Sequence, residues 1–490
     1  MKILFVASEV APFAKTGGLA DVTGSLPHAL KRQGHDVRII MPFYKTVSKG
    51  GFLIRKNRKS VEVPLGGSLY KGLLRHTLSA DIPVYLLENK ELFHRDHLYG
   101  GPAGDYADNH LRFAFFCRGV LELLKRMDYR PDVIHCHDWQ TALIPLLLKY
   151  EFAGDPFFAD MAVIFTIHNL AYQGIFPAAL LGAMGLDRSF FDIERLEFFG
   201  NVNLMKGGIL TADQVNTVSE SYCEEILTEE QGCGLNGVLL RRRDDLSGIL
   251  NGIDYSLWDP AYDRDISRNY TPSALAGKAA DKKALQILFG LTPDANVPLV
   301  GMVSRMIAQK GFDLIEPLLP DLAAAKLQLV VIGSGDAKYA KIFNDIRAKG
   351  ARGIALHEGF DSSLARKIYA GSDIFLMPSH FEPCGLGQLI ALRYGAVPVV
   401  RKTGGLKDTI FDETDNGKEP NGFSFVDYTP AALWEALMRS LEAYRDKERW
   451  KKLIRRGMIA DFSWTQSAVK YEQLYRQGLA KKGVKAWMRK

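Results

Sequence analysis

The stretch KTGGLADV, residues 15–22, follows the apolar run ILFVAS, and its first five residues occur again at 402–406, after AVPVV. Each copy places a lysine and two glycines where a predicted strand gives way to a predicted helix. Glycine lets backbone approach a ligand closely, and lysine supplies a charge suited to phosphate. The first copy, with Lys15 and Gly18, therefore predicts a phosphate site, although a tight turn with a surface lysine explains it equally well. Whether Lys402 of the second copy contacts a ligand stays open.

Two more cations follow a predicted strand in the second half of the chain. Arg305 and Lys310 lie five residues apart in SRMIAQKG, directly after VPLVGMV. Two positive charges at the start of a helix suit a diphosphate, whereas a solvated helix start is the alternative. The glycine turn GSGD, at 333–336, predicts close approach of a nucleotide after a neighbouring strand.

Polar residues end four further segments. They are Asp138 in HCHDW, His168 in TIHNLAYQG, Asn251 after LSGIL and Glu382 in SHFEPCGLGQ. A histidine in such a place is more often structural than catalytic. Ligands of open α/β sheets, however, bind at the carboxyl ends of the strands. The convergence of four polar residues on such positions favours a ligand site.

Metal and nucleophile chemistry has weaker support. His135 and His137 lie on one predicted strand, and we expect them to face opposite sides and share no metal. Asp263 and Asp265 form a D-x-D pattern in a turn-rich segment, which predicts a solvated loop. The chain has neither a P-loop nor a G-x-S-x-G elbow. We therefore expect no metal and no cofactor.

Two series of alternating strands and helices must position these residues. The chain has 490 residues, which is enough for two domains. The strands of the first series are KILFVAS, DVRIIMP, VYLLE, DVIHCHDW and AVIFTIHN. Those of the second are VPLVGMVSR, QLVVIGSGD, IALHEGF, DIFLMPSHF and AVPVVRKTGG. This alternation predicts an α/β fold with two facing Rossmann-like domains and a deep cleft between them.

A turn-rich segment, NGIDYSLWDPAYD at 251–263, separates the two series. We expect an N-terminal domain over 1–248 and a C-terminal Rossmann-like domain over 249–460, in which the predicted nucleotide turn GSGD lies. A hinge near 246–252 would allow the domains to close on a diphosphate. Residues 461–490 are predicted as a C-terminal helix that packs back on the N-terminal domain.

Composition narrows the class of protein. Hydrophobic residues make up 47% of the chain and charged residues 24%, as in ordinary globular proteins. The net charge of +6 is spread out, and the basic cluster KKGVKAWMRK argues only weakly for an anionic partner, so no nucleic-acid binding is expected. No signal-peptide pattern, no long apolar stretch and no C-x-x-C pair is present. These features predict a cytoplasmic protein that does not bind a membrane.

The chain resembles the bacterial glycogen synthase and plant starch synthase family nearly end to end. The segments that carry the resemblance, in the family's order and spacing, are KTGGLADV, HCHDWQTAL, TIHNLAYQG, LSGILNGID, SRMIAQKG, PSHFEPCGLGQ and RYGAVPVVRKTGGLKDT. The resemblance implies a metal-independent glycosyltransferase of the GT-B type. Such an enzyme transfers glucose from ADP-glucose to the non-reducing end of glycogen or another α-1,4-glucan, with retention of configuration.

The resemblance also implies roles for individual residues. Those implied in catalysis are Lys15, Asp138, His168, Arg305, Lys310 and Glu382. Those implied in substrate binding are Lys15, Gly18, Asp21, Asn251, Arg305, Lys310, Phe360, Glu382, Cys384 and Gly385. The three cations would hold the diphosphate, whose charge grows in the transition state, and Phe360 would lie against adenine. In the family's usual mechanism the acceptor attacks on the face from which the diphosphate departs, near the main-chain carbonyl of His168.

Other functions are weighed against this one. UDP-glucose as donor, or a short acceptor, stays possible because Phe360 recognises a ring and not its edge. An α-glucan phosphorylase would need a lysine for pyridoxal phosphate, and no stretch resembles that setting. An inactive glucan-binding protein could use aromatic residues such as Tyr172, Phe381 or Trp139. The complete set of matching polar residues argues against this last alternative.

Overall fold

The computed structural model describes residues 1–101, 104–415 and 417–483. The chain divides into two compact units. The first comprises Met1–Gly252 and the segment that begins at Trp464, and the second is Ile253–Ser463. Residues 484–490, which include most of the predicted basic cluster, lie outside the described part. Each unit is built on its own largely parallel sheet, as the alternating pattern predicted.

The main sheet of the first unit contains nine strands among the described residues. In chain order the strands of this unit are β1 (Lys2–Val6), β2 (Asp36–Pro42), β3 (Arg55–Leu65), β4 (Ser68–Ser79), β5 (Ile82–Glu88), β6 (Gly100–Gly101), β7 (Gly104–Asp105), β8 (Val133–His137), β9 (Ala162–Ile167), β10 (Ile175–Pro177), β11 (Glu197–Phe198), β12 (Asn201–Asn203), β13 (Gln214–Thr217) and β14 (Leu246–Gly248). The order across the sheet is β14-β13-β9-β8-β1-β2-β5-β4-β3. The pairs β3–β4 and β4–β5 are antiparallel, and the other neighbours are parallel.

Helices cover this sheet and bury their apolar faces against it. The α-helices of the unit are Gly18–Arg32, Lys45–Lys49, Lys90–Phe93, Asn109–Met127, Leu143–Tyr150, Leu204–Thr211, Glu220–Glu225, Asn236–Leu240 and Trp464–Lys481. The first begins in the KTGG turn and buries Leu19, Val22, Leu26 and Leu30 at helical spacing. The last, from the C-terminal segment, buries Tyr471 and Tyr475 in the core of the same unit.

The sheet of the second unit contains six parallel strands among the described residues. They are β15 (Leu299–Val303), β16 (Gln328–Gly333), β17 (Ile354–Glu358), β18 (Ile374–Met377), β19 (Val397–Arg401) and β20 (Phe423–Phe425). Their order is β17-β16-β15-β18-β19-β20. The strand order reverses at β15: the chain continues through β16 and β17 on one side of it and then through β18, β19 and β20 on the other. In doubly wound sheets this is where ligands bind.

Helices lie against the second sheet and cover its apolar strands. The α-helices are Ala276–Leu288, Phe312–Ile315, Leu319–Ala324, Ala337–Ala348, Ser362–Gly371, Gly387–Arg393, Gly404–Thr409, Pro430–Arg445 and Lys447–Ile459. Strands β16 and β18 are buried along their whole length. Strands buried on both faces require helices on both sides.

The segment predicted as a hinge, 246–252, begins inside the first sheet. Its residues Leu246–Gly248 form strand β14, which pairs in parallel with β13. These three residues are therefore held by the sheet, and the units divide after Gly252.

Candidate active site

The first KTGG turn is held by a buried carboxylate that sequence reasoning missed. Glu9 accepts hydrogen bonds from the backbone N–H groups of Thr16, at 2.5 Å, and Gly17, at 3.3 Å. The hydroxyls of Thr16 and Tyr99 also donate to it, at 2.6 and 2.7 Å. One acidic residue just after a strand has no motif around it. The Glu9 contacts therefore become visible only once the turn folds back over the end of β1.

The side chain of Lys15 is anchored but accessible. Its Nζ lies 2.6 Å from Oδ1 of Asp21, in the first turn of the following helix, and the lysine side chain is 46% exposed. Burial raises the pKa of the Asp21 carboxyl, while the Lys15 ammonium acts in the opposite direction. The pair thus presents a cation beside the start of a helix, where backbone donors also favour an anion.

The glycines of this first turn are not required by packing. A β-carbon built on Gly17 or Gly18 would meet no described atom within 4 Å. Gly17 has φ −156°, an extended conformation open to any residue. Glycines that neither packing nor backbone geometry requires are what a closely approaching ligand would demand.

The second KTGG turn differs from the first in the packing of its glycines and in the partner of its lysine. A β-carbon on Gly404, where φ is +44°, would lie 2.0 Å from the carbonyl oxygen of Glu382. One on Gly405 would lie 2.1 Å from the carbonyl oxygen of Cys384. The ammonium of Lys402 forms an ion pair with Asp415. This turn packs against the 382–385 segment, and its lysine is paired with a carboxylate of the same unit.

Asp138 and His168 come together at the ends of β8 and β9. Oδ1 of Asp138 accepts a hydrogen bond from the backbone N–H of His168 at 2.7 Å. Asp138 has φ 55° and ψ −178°, a conformation that costs a non-glycine residue about 1–3 kcal/mol. Burial raises the pKa of its carboxyl to about 8, although the backbone donors of His168 and Asn169 lower it. Asp138 is therefore largely protonated at neutral pH.

The His168 side chain belongs to a cluster of buried histidines. Its Nε2 lies 3.0 Å from Nδ1 of His137, and burial lowers the pKa of His168 to about 3. The expectation that His135 and His137 face opposite sides is wrong, because residues two apart on a strand share a face. Their ring centroids are 4.1 Å apart. Among the described residues no three His, Cys, Asp or Glu side chains form a group that could hold a metal ion.

Asn251 is the third polar residue of the predicted site in the first unit. It lies three residues after β14 and is buried. Its Oδ1 has no hydrogen-bond partner among the described residues. A buried amide oxygen without a partner is uncommon and marks a position where a ligand could supply a donor.

In the second unit Lys310 and Glu382 form a partly buried ion pair. Nζ of Lys310 lies 2.5 Å from Oε2 of Glu382, which also accepts a hydrogen bond from the Ser379 hydroxyl at 3.0 Å. Gly311, with φ +80°, makes the approach possible, since a β-carbon there would lie 2.2 Å from the carbonyl oxygen of Pro378. The ends of β15 and β18 are thereby drawn together around one cation and one carboxylate.

The remaining predicted residues of this unit lie around that pair or are exposed. Arg305 is exposed, and its guanidinium donates to Oε1 of Gln309 at 3.3 Å. Phe360 follows β17 and is 75% exposed. The carbonyls of Cys384 and Gly385 each accept a hydrogen bond from the Gln388 side chain at 3.0 Å, which fixes the turn.

The D-x-D pattern is not the solvated loop that its sequence predicted. Asp263 is buried, forms an ion pair with Arg366 at 3.0 Å, and accepts a hydrogen bond from the Tyr394 hydroxyl. Asp265 is half-exposed and lies 3.5 Å from the same guanidinium. An arginine thus occupies the space between the two carboxylates.

Comparisons with known proteins agree with this architecture. Residues 2–241 match the family model of the starch synthase catalytic domain, and residues 286–457 match that of glycosyl transferases group 1. The chain is 67% identical to a glycogen synthase of Geotalea daltonii over 99% of its own length and 100% of that protein. It is 65% identical to a glycogen synthase of Geotalea uraniireducens, again over 99% and 100% of the two chains.

A solved structure agrees as well. The catalytic domain of starch synthase IV from Arabidopsis thaliana, bound to ADP and acarbose, superposes with a TM-score of 0.90 at 36% identity, covering 98% of this chain and 99% of that one. The chain is thus a glycosyltransferase with the GT-B fold. It belongs to the family of bacterial glycogen synthases and plant starch synthases. As a member of this family, the protein uses a nucleotide-sugar donor and a glucan acceptor. No helix in the described ranges is long and apolar enough to cross a membrane.

Proposed function

We propose that the protein uses ADP-glucose as its donor and adds glucose to the non-reducing 4-hydroxyl of an α-1,4-glucan, with retention of configuration. The likeness to a plant starch synthase bound to ADP and acarbose carries the choice of nucleotide. The accessible cations Lys15 and Arg305, and the ammonium of Lys310, would supply the positive charge that a diphosphate leaving group requires.

The remaining predicted residues would surround the sugar and the base. Asp138, His168, Asn251 and Glu382 are proposed to contact glucose. The backbone of Gly18, Cys384 and Gly385 would supply further polar contacts, with Asp21 holding Lys15. Phe360 is proposed to stack on the adenine ring, because an exposed aromatic face suits a flat base.

The states of the Asp138 and Glu382 carboxyls favour attack by the acceptor on the face from which the diphosphate departs over a double displacement. A double displacement needs an ionised carboxylate as nucleophile. Asp138 is largely protonated at neutral pH, and the carboxylate of Glu382 is engaged by Lys310 and Ser379. In the proposed step the bond from the anomeric carbon to the diphosphate oxygen breaks as the acceptor oxygen bonds to that carbon. The acceptor hydroxyl gives its proton to the departing phosphate oxygen.

The proposal is tested by transfer of labelled glucose to glycogen from ADP-glucose and from UDP-glucose, each measured with and without EDTA. We expect strong incorporation from ADP-glucose and at least tenfold less from UDP-glucose. Preference for UDP-glucose would overturn the proposed donor. Glycogen binding without transfer from either donor would favour an inactive glucan-binding protein, and loss of transfer in EDTA would contradict metal independence.

A further inference from the structure

A hydrogen-bonded chain in the core of the first unit determines which ring nitrogen of His135 carries the proton. The Asn216 side chain donates through Nδ2 to the Tyr471 hydroxyl at 3.2 Å and to the carbonyl of Thr217 at 3.4 Å. Its Oδ1 is therefore the atom that faces Thr166, and the Thr166 hydroxyl donates to it at 2.7 Å. A threonine hydroxyl has one hydrogen, so Thr166 accepts at its other contact.

That other contact is Nε2 of His135, at 2.6 Å, which must donate. Burial lowers the pKa of His135 well below its usual range, so the ring is neutral and carries one proton. Nδ1 of His135 consequently accepts from the Tyr475 hydroxyl, at 2.9 Å. Both nitrogens of His135 are occupied, and neither is available to the adjacent His137.

His137 has a single hydrogen-bond partner among the described side chains of the cluster. Its Nδ1 lies 3.0 Å from Nε2 of His168, and its Nε2 is buried without a partner in the described part of the chain. If His168 donated in this contact, the proton of His137 would sit on Nε2 as a buried N–H with no acceptor. If His137 donates, Nε2 keeps only a lone pair. Orphaned buried N–H groups are the rarer and costlier arrangement.

We infer that His137 is a positioning residue that donates from Nδ1 to Nε2 of His168, and so holds His168 as the tautomer with its proton on Nδ1. The N–H on Nδ1 of His168 has no hydrogen-bond partner among the described residues either, but His168 is 8% exposed, so this N–H can reach water or a ligand. His137 is 0% exposed, and an N–H on its Nε2 could reach neither. His168 then offers a ligand one neutral N–H donor. It suits a hydroxyl or ether oxygen of a sugar, and its Nε2 is not available as a base. The sugar as ligand rests on the proposed function, whereas the tautomer does not.

The tautomer can be read directly in the ligand-free protein. Histidine side chains labelled with ¹⁵N are examined by long-range ¹H–¹⁵N correlation, and His168 is assigned from the peaks lost in His168→Gln. We expect a pyrrole-type Nδ1 and a pyridine-type Nε2 for His168 between pH 6 and 8. The reverse pattern, or a mixture of the two, would overturn the inference whatever the donor of the enzyme proves to be.

Substitution of His137 separates positioning from mere packing. His137→Asn keeps an N–H donor close to the place of Nδ1, whereas His137→Phe removes it. We expect His137→Phe to give mixed tautomers at His168 and to lower kcat about tenfold, in keeping with one misplaced neutral hydrogen bond. His137→Asn should restore both the pyrrole-type Nδ1 and most of the rate.

The matched control is His135→Phe, which disturbs the neighbouring ring and the Tyr475 contact but leaves the His137–His168 contact in place. It should lower the melting temperature while the His168 pattern stays that of the parent protein. If His137→Phe left the His168 tautomer unchanged, or if His137→Asn were as slow as His137→Phe, the positioning role would be refuted.

Discussion

Gly404 packs so closely on Glu382 that a β-carbon on the glycine would lie 2.0 Å from the carbonyl oxygen of the glutamate. The second KTGG turn is thus a support for the segment that carries Glu382. The first KTGG turn leaves open space around Gly17 and Gly18. The same five residues therefore stand in two different surroundings, one tightly enclosed by the fold and one open around its glycines.

Gly405→Ala should destabilise the second unit. The added methyl group would lie 2.1 Å from the carbonyl oxygen of Cys384, and backbone atoms cannot move aside cheaply. Overpacking of this kind costs about 1–3 kcal/mol of unfolding free energy. Thermal unfolding followed by calorimetry should show the lower transition, and an unchanged profile would mean that the turn is less tightly packed than described.

Gly17→Ala, in contrast, should not destabilise the protein. Its φ of −156° is accessible to alanine, and no described atom lies within 4 Å of the new β-carbon, so stability should be equal to or slightly above that of the parent. If a donor approaches the backbone here, its KM should rise at least fivefold. A variant with parent-like KM would show that the open space is not used by the donor.

Much of the fold could be predicted from the sequence because its central strands are continuous apolar runs. Strands such as KILFV and QLVVIG are buried on both faces and stand out in any window. The antiparallel strand β3, Arg55–Leu65, begins with the exposed residues RKNRK, and β13 and β14 are short and partly polar. These three strands, like β4 and β20, are absent from the predicted series, and little apolar periodicity marks the three.

The partners of the candidate site residues cannot be predicted from the sequence. The sequence predicts Lys310 as a cation at a helix start and Glu382 as a polar residue after a strand, but their ion pair depends on Gly311 passing close to Pro378. Glu9 and His137 act through other residues, and neither stands in a pattern that indicates this. Contacts between residues 72 positions apart, such as Lys310 and Glu382, are set by tertiary packing and cannot be read from spacing.

Breaking the Lys310–Glu382 pair from one side should damage both stability and activity. Lys310→Met leaves a largely buried carboxylate without its cation, which costs about 3–5 kcal/mol of unfolding free energy. Loss of a cation beside the leaving group should lower kcat about 10²–10³-fold. The double variant Lys310→Met/Glu382→Gln should regain most of the stability in urea unfolding and none of the activity. Equal losses of stability in the single and double variants would contradict the ion pair.

Asp138→Asn should change how stability depends on pH. Burial raises the pKa of Asp138 from its usual value to about 8 in the folded protein. Between pH 4 and 8 the folded state holds a proton that the unfolded state has released, so this residue makes stability fall as pH rises. Asparagine carries no such proton.

The unfolding free energy of Asp138→Asn relative to the parent should therefore increase steadily from pH 5 to pH 8 and level off above it. Urea unfolding of both proteins at pH 5, 6.5, 8 and 9 measures this difference. A difference that does not change with pH would mean that Asp138 is ionised in the folded protein at neutral pH, and the argument against a carboxylate nucleophile would lose its basis.

The two lysines of the repeated KTGGL should respond differently to the same substitution. Lys15 is 46% exposed and paired with Asp21 on the surface, so Lys15→Met should leave the fold intact while raising the donor KM and lowering kcat about 10²-fold or more. Lys402 is committed to Asp415, and Lys402→Met should leave the donor KM within about twofold of the parent. The cost of Lys402→Met should appear in the melting temperature, because Asp415 loses its cation.

Initial rates over a range of ADP-glucose concentrations, with glycogen saturating, distinguish the two variants. A large rise of KM in Lys402→Met would mean that both turns bind the donor, and that the ion pair with Asp415 opens when it does.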